Sequence, residues 1–342
     1  MKNIVTLLSL LLVSLSIQAQ TLSNALPLLQ KNKRTVEEDQ QVLRIFRTAT
    51  DPDTIFAAGA SLVKIPPTKD QEPSLINIIL RQGQPLKEIF SAIIITSMGS
   101  RHEELIALLE QGLQSPDLAL RSYAAGAYSI LSPDDKTYAT DVVRLYIFDS
   151  PFAQRAMHLL ASTSDEELKF LKKAASAKEP QTRAAAARWL GNLHAPKAAK
   201  QLLKMAKSET DTSVQTQLAT ALAMNQDNTL AQTVKGLRKK YDSASSTTYT
   251  LALGFMTGNA IPYLRQTLIS KNKNERINTL RSLAYMANVL SNPDAFAYFR
   301  DRSFDIGLLK SFIPQLTLLS KNGDEEERMY ADNALQQFEK LM

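Results

Sequence analysis

The chain has 342 residues, no cysteine and only 11 glycines, and 44% of its residues are hydrophobic. Glycine lies well below its usual share of roughly 7%, and strands joined by tight turns need glycine at positive φ, so composition disfavours an all-β fold. The absence of cysteine excludes a disulfide framework, a thiolate metal site and a cysteine nucleophile. A charged fraction of 22% with ample apolar content excludes a wholly disordered chain. Composition therefore indicates a soluble and mostly helical protein.

The first 19 residues have the three parts of a secretory signal. Lys2 supplies a positive start, the run from Ile4 to Ile17 is apolar apart from threonine and serine, and Ala19 precedes the expected cleavage point. The alternative is an uncleaved membrane anchor, but the run is shorter than the about 20 residues that a span needs. No cysteine follows it, which excludes a bacterial lipoprotein. We therefore expect export to the periplasm or secretion, with residues 20–34 as a linker or frayed N-terminus.

Signals for helices then recur in chain order. Thr35 and Ser100 are each followed three residues later by glutamate, which is the spacing of a capping box. Asp51 stands directly before Pro52, an arrangement typical of a helix start. Apolar residues between such starts follow helical spacing, and the single Asn-Gly pair lacks the alternating apolar flanks of a β-hairpin.

Similar helical segments repeat along the chain. They begin at Arg121, Arg155, Arg183, Gln215, Thr248 and Arg276. The spacings are 34, 28, 32, 33 and 28 residues, which average 31. Each segment follows another amphipathic helix and a short polar break, so the unit is a hairpin of two antiparallel helices. Because one hairpin cannot bury its apolar face alone, neighbouring hairpins are expected to stack.

One of these segments resembles a known repeat family. Residues 181–193, QTRAAAARWLGNL, are similar to the second helix of HEAT-like repeats, especially the short type named after phycocyanobilin lyases. The similarity rests on Arg183, a run of four alanines, Arg188 and the pair Leu190–Gly191. It is clearest over about residues 100–290.

This resemblance implies an all-α fold, an α-solenoid or superhelix of stacked antiparallel hairpins of about 30 residues. We expect a single such domain over 35–342, with residues 323–342 as its C-terminal cap. Repeats of this kind serve many functions, so the resemblance concerns architecture alone.

Motifs for catalysis are nearly absent. The spacing Ser-x-x-Lys, typical of penicillin-binding enzymes, occurs at Ser61 and Ser270, but its companion motifs are missing. His102, His158 and His194 lack the i, i+4 spacing of a metal-binding pair. Adjacent acidic residues point to different sides of a helix, so they do not form an acid–base pair by spacing alone. We therefore predict a protein that is not an enzyme and that has no cofactor and no metal site.

The second helices of the hairpins are expected to line the concave surface of the solenoid. Tyrosine and arginine are typical anchors of interfaces. The candidates for binding a partner are Tyr123, Tyr128, Arg155, Arg188, Trp189, Gln217, Tyr249, Asn278, Arg281 and Tyr285. The alternative is that many of these side chains fill the core or support neighbouring turns.

One stretch of the chain is strongly basic. Residues 165–240 contain 14 lysines and arginines against 7 acidic residues, a local charge of +7, whereas the whole chain carries +6. The main basic residues form two groups, Lys197, Lys200, Lys204 and Lys207 on one helix face, and Lys235, Arg238, Lys239 and Lys240 near the end of another helix. They form either a solvated outer face or a contact surface for anionic lipid headgroups, cell-wall polymer or an acidic protein.

These features leave three functional hypotheses. The first is a non-enzymatic, exported scaffold or adaptor that binds a protein partner in the cell envelope through the concave surface. The second is a binder of anionic envelope components through residues 165–240. The third, an envelope enzyme, is the least favoured. We expect no nucleic-acid partner, because the overall charge excess is mild, and no membrane integration after signal cleavage.

Overall fold

The computed structural model describes residues 23, 25–239, 244–291 and 307–341. The predicted signal at 1–19 lies outside these residues. Every regular element among the described residues is a helix, which confirms the predicted all-α fold. The chain divides into two compact units, Met1–Glu167 and Leu168–Met342. The single domain over 35–342 stays a prediction.

The first unit is a stack of helix pairs. Its helices are α1 (Val36–Thr48), α2 (Pro52–Lys64), α3 (Glu72–Arg81), α4 (Pro85–Ser97), α5 (Ile106–Leu113), α6 (Leu118–Leu131), α7 (Ala139–Phe148) and α8 (Ser150–Leu160). Short 3₁₀ turns precede α3 and α5. Each pair packs within itself, and the second helices α2, α4, α6 and α8 contact one another in sequence. Helix α9 (Ser164–Ala174) includes the boundary between the units.

The second unit repeats this arrangement. Its helices are α10 (Pro180–Asn192), α11 (Pro196–Ala206), α12 (Thr212–Met224), α13 (Gln226–Lys239), α14 (Ala244–Phe255), α15 (Ile261–Leu268), α16 (Lys273–Ser291), α17 (Gly307–Lys310), α18 (Ile313–Asn322) and α19 (Glu325–Glu339). The second helices α10, α12, α14, α16 and α19 each contact the next one, while α11, α13, α15 and α18 pack beside them. The predicted repeat segments begin inside α6, α8, α10, α12, α14 and α16, so the solenoid of stacked hairpins is confirmed.

The helix starts agree with the sequence in part. Thr35 and Asp51 cap α1 and α2 through their side chains, as predicted. The capping box expected at Ser100 is wrong, because its hydroxyl donates to the carboxylate of Glu72 and a 3₁₀ turn follows. An acidic capping box at Asp324, absent from the prediction, begins α19. This helix packs on α16 and α18 within the segment predicted to form the C-terminal cap.

The described part of the segment predicted as a linker packs on the first two helices. Residues 25–29 are helical, and Leu29 is buried. The buried side chain of Arg34 donates to Asp39 in α1 and to the hydroxyl of Ser61 in α2. A buried guanidinium with several acceptors holds the chain more firmly than an exposed ion pair does.

A recurring hydrogen bond fixes the turn between the two helices of a pair in the second unit. A side chain early in the second helix donates to the backbone carbonyl six residues before it, at 2.7–3.1 Å. The pairs are Arg183 with Ala177, Gln215 with Glu209, and Arg276 with Ser270. Glutamine can therefore replace arginine at this repeat position, because its amide supplies the same donor.

Two of these arginines also join one helix pair to the next. Arg183 makes a bidentate contact with the carboxylate of Glu209, at 2.8 and 3.0 Å, and Arg276 contacts Glu327. Glu209 is buried and also accepts the backbone N–H groups of Thr210 and Asp211. Burial alone would raise the pKa of Glu209, but these hydrogen bonds together outweigh it and hold the pKa below its ordinary value.

The second helices approach one another closely because small residues face the contact. Ala184–Ala187 in α10 are all buried, beside α12. Gly191 lies near the C-terminal end of α10, where a Cβ atom would stand 2.8 Å from the Cα and Cβ atoms of Ala221 in α12. Backbone atoms cannot move aside as the end of a long side chain can. This close contact between α10 and α12 therefore requires glycine at position 191.

We expect Gly191→Ala to lower the free energy of unfolding by about 1–3 kcal/mol, because overpacking against backbone outweighs the gain in helix propensity. Urea unfolding followed by circular dichroism measures this change. Gln217→Ala, on a half-buried position of α12, is the control and should change stability by less than about 0.5 kcal/mol. A Gly191→Ala protein as stable as the control would show that the helices can separate without cost.

We expect Glu209→Gln to lower the free energy of unfolding at pH 7 by about 1.5–3 kcal/mol, because the charge-assisted bonds from Arg183 are lost. The pKa of Glu209 is depressed in the folded state, so its contribution is present above the unfolded pKa, about 4.3, and disappears as pH falls through the folded value. The difference between wild type and variant should therefore shrink on acidification. Glu339→Gln, at an exposed position, is the control; a pH-independent difference would contradict this assignment.

Candidate functional site

The two Ser-x-x-Lys motifs are engaged in structural contacts. The hydroxyl of Ser61 donates to the carbonyl of Leu29, and Lys64 donates to the side chain of Asn32. At the second motif, the Ser270 hydroxyl accepts the N–H of Asn272, and Lys273 forms ion pairs with acidic residues that begin α19. In both motifs the serine and the lysine are engaged with other groups, whereas activation of the nucleophile would require a contact between the two.

The three histidines belong to different helices and turns. Nε2 of His102 is 2.7 Å from Oε1 of Glu72, while His158 and His194 are exposed on other helices and turns. Within the described ranges, no group of three or more histidine or acidic side chains is placed to hold a metal ion. The same ranges contain no helix with the length and apolar character needed to cross a bilayer.

Four of the predicted contact residues belong to the core. Tyr123, Trp189, Tyr249 and Asn278 are 2–4% exposed. Tyr123 packs among the rings of Phe56, Phe90 and Phe148, and burial raises its pKa. A side chain enclosed in this way cannot present its surface to a partner, so the interpretation of these four as surface contacts is wrong.

The other predicted contact residues are wholly or partly accessible but lie on several helices. Tyr128 is half-buried and donates to Asp135, and Arg155 is exposed with its guanidinium 5.3 Å from the ring centre of Phe152. Tyr285 is 38% exposed. Half-buried positions are also occupied by Arg188, Gln217 and Arg281. Tyr128 and Arg155 belong to the first unit and the others to the second, and each stays a predicted contact.

The basic residues, in contrast, come together around one groove of the second unit, which we call the lysine groove. Its volume is about 1230 Å³. It is lined by Lys172, Pro196, Lys197, Ala199, Lys200, Gln201, Leu203, Lys204, Lys207, Asn228, Gln232, Lys235, Gly236 and Tyr249. All six lysines are exposed. Five of them belong to the predicted basic groups, and Lys172 in α9 was missed because it lies apart in sequence.

The remaining predicted basic residues do not line the described part of the groove. Arg238 points to Glu275 in α16, with 3.6 Å between its Nε and the carboxylate oxygen. The backbone of Lys239 ends α13. Lys240 lies outside the described residues.

The groove runs between two first helices over an apolar floor. Helix α11 supplies four lysines through its face and C-terminal cap, and α13 forms the facing wall. Half-buried Leu203 lies at the groove surface between them, and the ring of Tyr249, which is 2% exposed, borders the groove from the core. Gly236 in α13 allows this arrangement, because a Cβ atom there would stand 2.4 Å from the Tyr249 ring. Burial raises the pKa of Tyr249, so the floor carries no negative charge at neutral pH.

The electrostatics of the groove are unbalanced. Among the described residues that line it, six are lysines and none is acidic. On α11, Lys200 lies four residues before Lys204, which lies three before Lys207, so like charges are neighbours on the helix surface. Such pairs destabilise a helix by about 0.2–0.5 kcal/mol each.

Part of the chain matches a known repeat family. Residues 148–223 and 167–254 match the model of HEAT repeats, and they include α10–α13 and all the described lining of the groove. This part of the chain is HEAT-like, as the arginine, alanine and Leu-Gly pattern of residues 181–193 indicates. No curated protein matches the sequence.

Solved structures of helical proteins are similar to the chain at low identity. An engineered protein of the Northeast Structural Genomics Consortium is 18% identical over 94% of this chain and 96% of its own, with a TM-score of 0.27. A mutant of Kap121p is 11% identical over 94% of this chain and 43% of its own, with a TM-score of 0.41. A second engineered protein of the consortium is 18% identical over 88% and 96%, with a TM-score of 0.23. None of the three is a close structural match.

We expect the double substitution Lys200→Gln and Lys204→Gln to raise the free energy of unfolding by about 0.5–1 kcal/mol at low salt, because it removes like-charge repulsion along α11. The gain should fall towards zero at about 1 M salt, where charges are screened over roughly 3 Å. Denaturant unfolding at the two salt concentrations measures both values. Lys310→Gln with Lys321→Gln, at two exposed positions outside the groove, is the charge-matched control. If both double variants changed the free energy of unfolding equally, repulsion between the groove lysines would not lower the stability of α11.

Proposed function

We propose that the protein is a non-enzymatic scaffold that is exported to the cell envelope, as a periplasmic or secreted protein, and binds a protein partner through the lysine groove. We further propose that its repeats are of the short HEAT-like type named after phycocyanobilin lyases. The observation that carries the binding function is a large open groove in which every charged side chain among the described residues is a lysine.

The size of the groove supports a macromolecular partner. Pockets for small molecules measure about 300–1,000 Å³ and enclose most of the ligand surface. The lysine groove is larger, and its lysines are exposed to solvent. Stacked helical repeats present extended surfaces of this kind to their partners.

The contacts of the candidate nucleophiles support a function without catalysis. Ser61 holds the N-terminal segment, and Lys273 is paired with Asp324 and Glu326. The groove itself offers ammonium groups, amides and one buried phenol but no described carboxylate or histidine that could serve as a general base.

An anionic envelope component is the second candidate partner. All described cations of the groove are lysines, and lysine acts as a compact point charge that attracts phosphate and carboxylate groups without fixing their geometry. Anionic lipid headgroups and cell-wall polymer both offer such charges. This candidate predicts binding to anionic vesicles or purified cell wall in the absence of any other protein.

Photo-crosslinking in intact cells tests the proposed function. A photoreactive amino acid in place of Gln232, an exposed groove residue, should yield a covalent adduct with one envelope protein. Replacing Lys200, Lys204, Lys207 and Lys235 by glutamate should reduce that adduct by about tenfold, since several exposed charge pairs of up to about 1 kcal/mol each are lost or reversed. Mass spectrometry identifies the adduct.

The control places the same photoreactive group at Thr216, an exposed position of α12 outside the groove, where no such adduct should form. Substitution of four exposed lysines outside the groove by glutamate, at Lys33, Lys69, Lys310 and Lys321, controls for the change in net charge. An adduct that survives the groove substitutions would place the partner elsewhere, and an adduct with lipid or cell-wall polymer alone would favour the second candidate.

A further inference from the structure

The arrangement of the lysine groove restricts the conformation of its occupant. Lys197 and Lys207 are ten residues apart at the two ends of α11, so the row of lysines is about 15 Å long at 1.5 Å per helical residue. Within the row, the rises between successive lysines are about 4.5 to 6 Å. An occupant that pairs with the row must present several negative charges within about this length, and the flexible side chains of the lysines can accommodate small differences in spacing.

The floor of the groove adds a second requirement. Exposed Pro196 and half-buried Leu203 of α11 contribute apolar surface beside the lysines, whereas Ala199 and Tyr249 border the groove from the core and are each 2% exposed. A wholly charged polymer would leave this apolar surface without a complementary group. An occupant with apolar groups between its charges would cover it, with a gain of about 25 cal/mol for each Å² removed from water.

We propose that the lysine groove binds a short extended segment of the partner protein in which acidic residues alternate with apolar ones. This inference rests on the proposed function and specifies the chemistry of the partner. In an extended chain, successive side chains point to opposite sides, and alternate residues are about 6.6 Å apart. One set of side chains can thus face the apolar floor while the other set meets the lysines.

The amide side chains of the groove fit a peptide in the same position. Gln201 of α11 and Gln232 of α13 both line it, and each amide can donate and accept hydrogen bonds. An extended peptide carries unpaired backbone N–H and C=O groups that need such partners. A phosphate polymer or a lipid headgroup layer offers acceptors but no comparable row of backbone N–H donors.

Fluorescence anisotropy with the mature full chain tests the inference. The probes are three labelled nine-residue peptides: one that alternates glutamate and leucine, one with the same composition in two blocks, and one of glutamate alone. We expect the alternating peptide to bind at least about tenfold more tightly than the other two, a difference of about 1.4 kcal/mol. Its affinity should fall steeply as salt is raised.

Two groove variants separate the two requirements. Leu203→Gln should remove the preference for the alternating peptide over the glutamate peptide, because it changes the floor and leaves the charges in place. The pair Lys200→Gln and Lys204→Gln should weaken all three acidic peptides about tenfold. Lys310→Gln with Lys321→Gln should leave every affinity unchanged, and circular dichroism verifies that each variant is folded.

Equal binding of the three peptides, or tighter binding to anionic phospholipid vesicles than to the alternating peptide, overturns this inference. A preference that survives Leu203→Gln overturns it as well. These results are distinguishable from a failure of the proposed function, which is decided by the lysine-dependent protein adduct in cells. If the adduct forms and the peptide pattern has no effect, the protein binds its partner by another chemistry.

Discussion

The hydrogen bond from a second helix to the carbonyl six residues before it sets the geometry of the second unit. Arg183, Gln215 and Arg276 each close the turn of their own helix pair in this way. One of these turns also contributes Glu209, which Arg183 of the preceding pair holds, while Arg276 holds Glu327 in the first turn of α19. Where a turn is both closed in this way and linked to the preceding pair, as at Glu209, the two helix pairs keep a fixed spacing. One wall of the lysine groove, α11, belongs to the pair that Gln215 closes in this way, and the other wall, α13, belongs to the next pair.

The stack of second helices needs small side chains, whereas the groove between first helices is lined by long ones. The second helices approach closely through alanine and through Gly191, where even one methyl group would meet the backbone of Ala221. The first helices α11 and α13 stand beside this contact and carry long charged or polar side chains on the surfaces that face the groove. The second helices thus pack tightly, while the first helices beside them leave a groove. The like charges of the lysines that line this groove lower the stability of α11.

The sequence predicts the repeat and the lysine row but not which second-helix residues are exposed. Helix α11 has polar and apolar residues on separate faces, so the phase of Lys200 and Lys204 can be determined from spacing. The second helices are apolar on most sides because they pack against both neighbours. Each residue turns the direction of a side chain by about 100°, so an error of one position moves Trp189 or Tyr249 from surface to core. The contribution of Lys172 could not be predicted, because only the fold brings α9 to the groove.

In the stack, the contact between neighbouring helix pairs does not depend on how many residues of the chain lie between them. Arg183 and Glu209 are 26 positions apart, whereas Arg276 and Glu327 are 51 apart, yet each contact joins one helix pair to the next along the stack. Doubling the length of a flexible connection costs only about 0.6 kcal/mol in closure entropy. The array is therefore modular: evolution can lengthen a connection, or place a new recognition element in it, while the neighbouring repeats keep their interface unchanged.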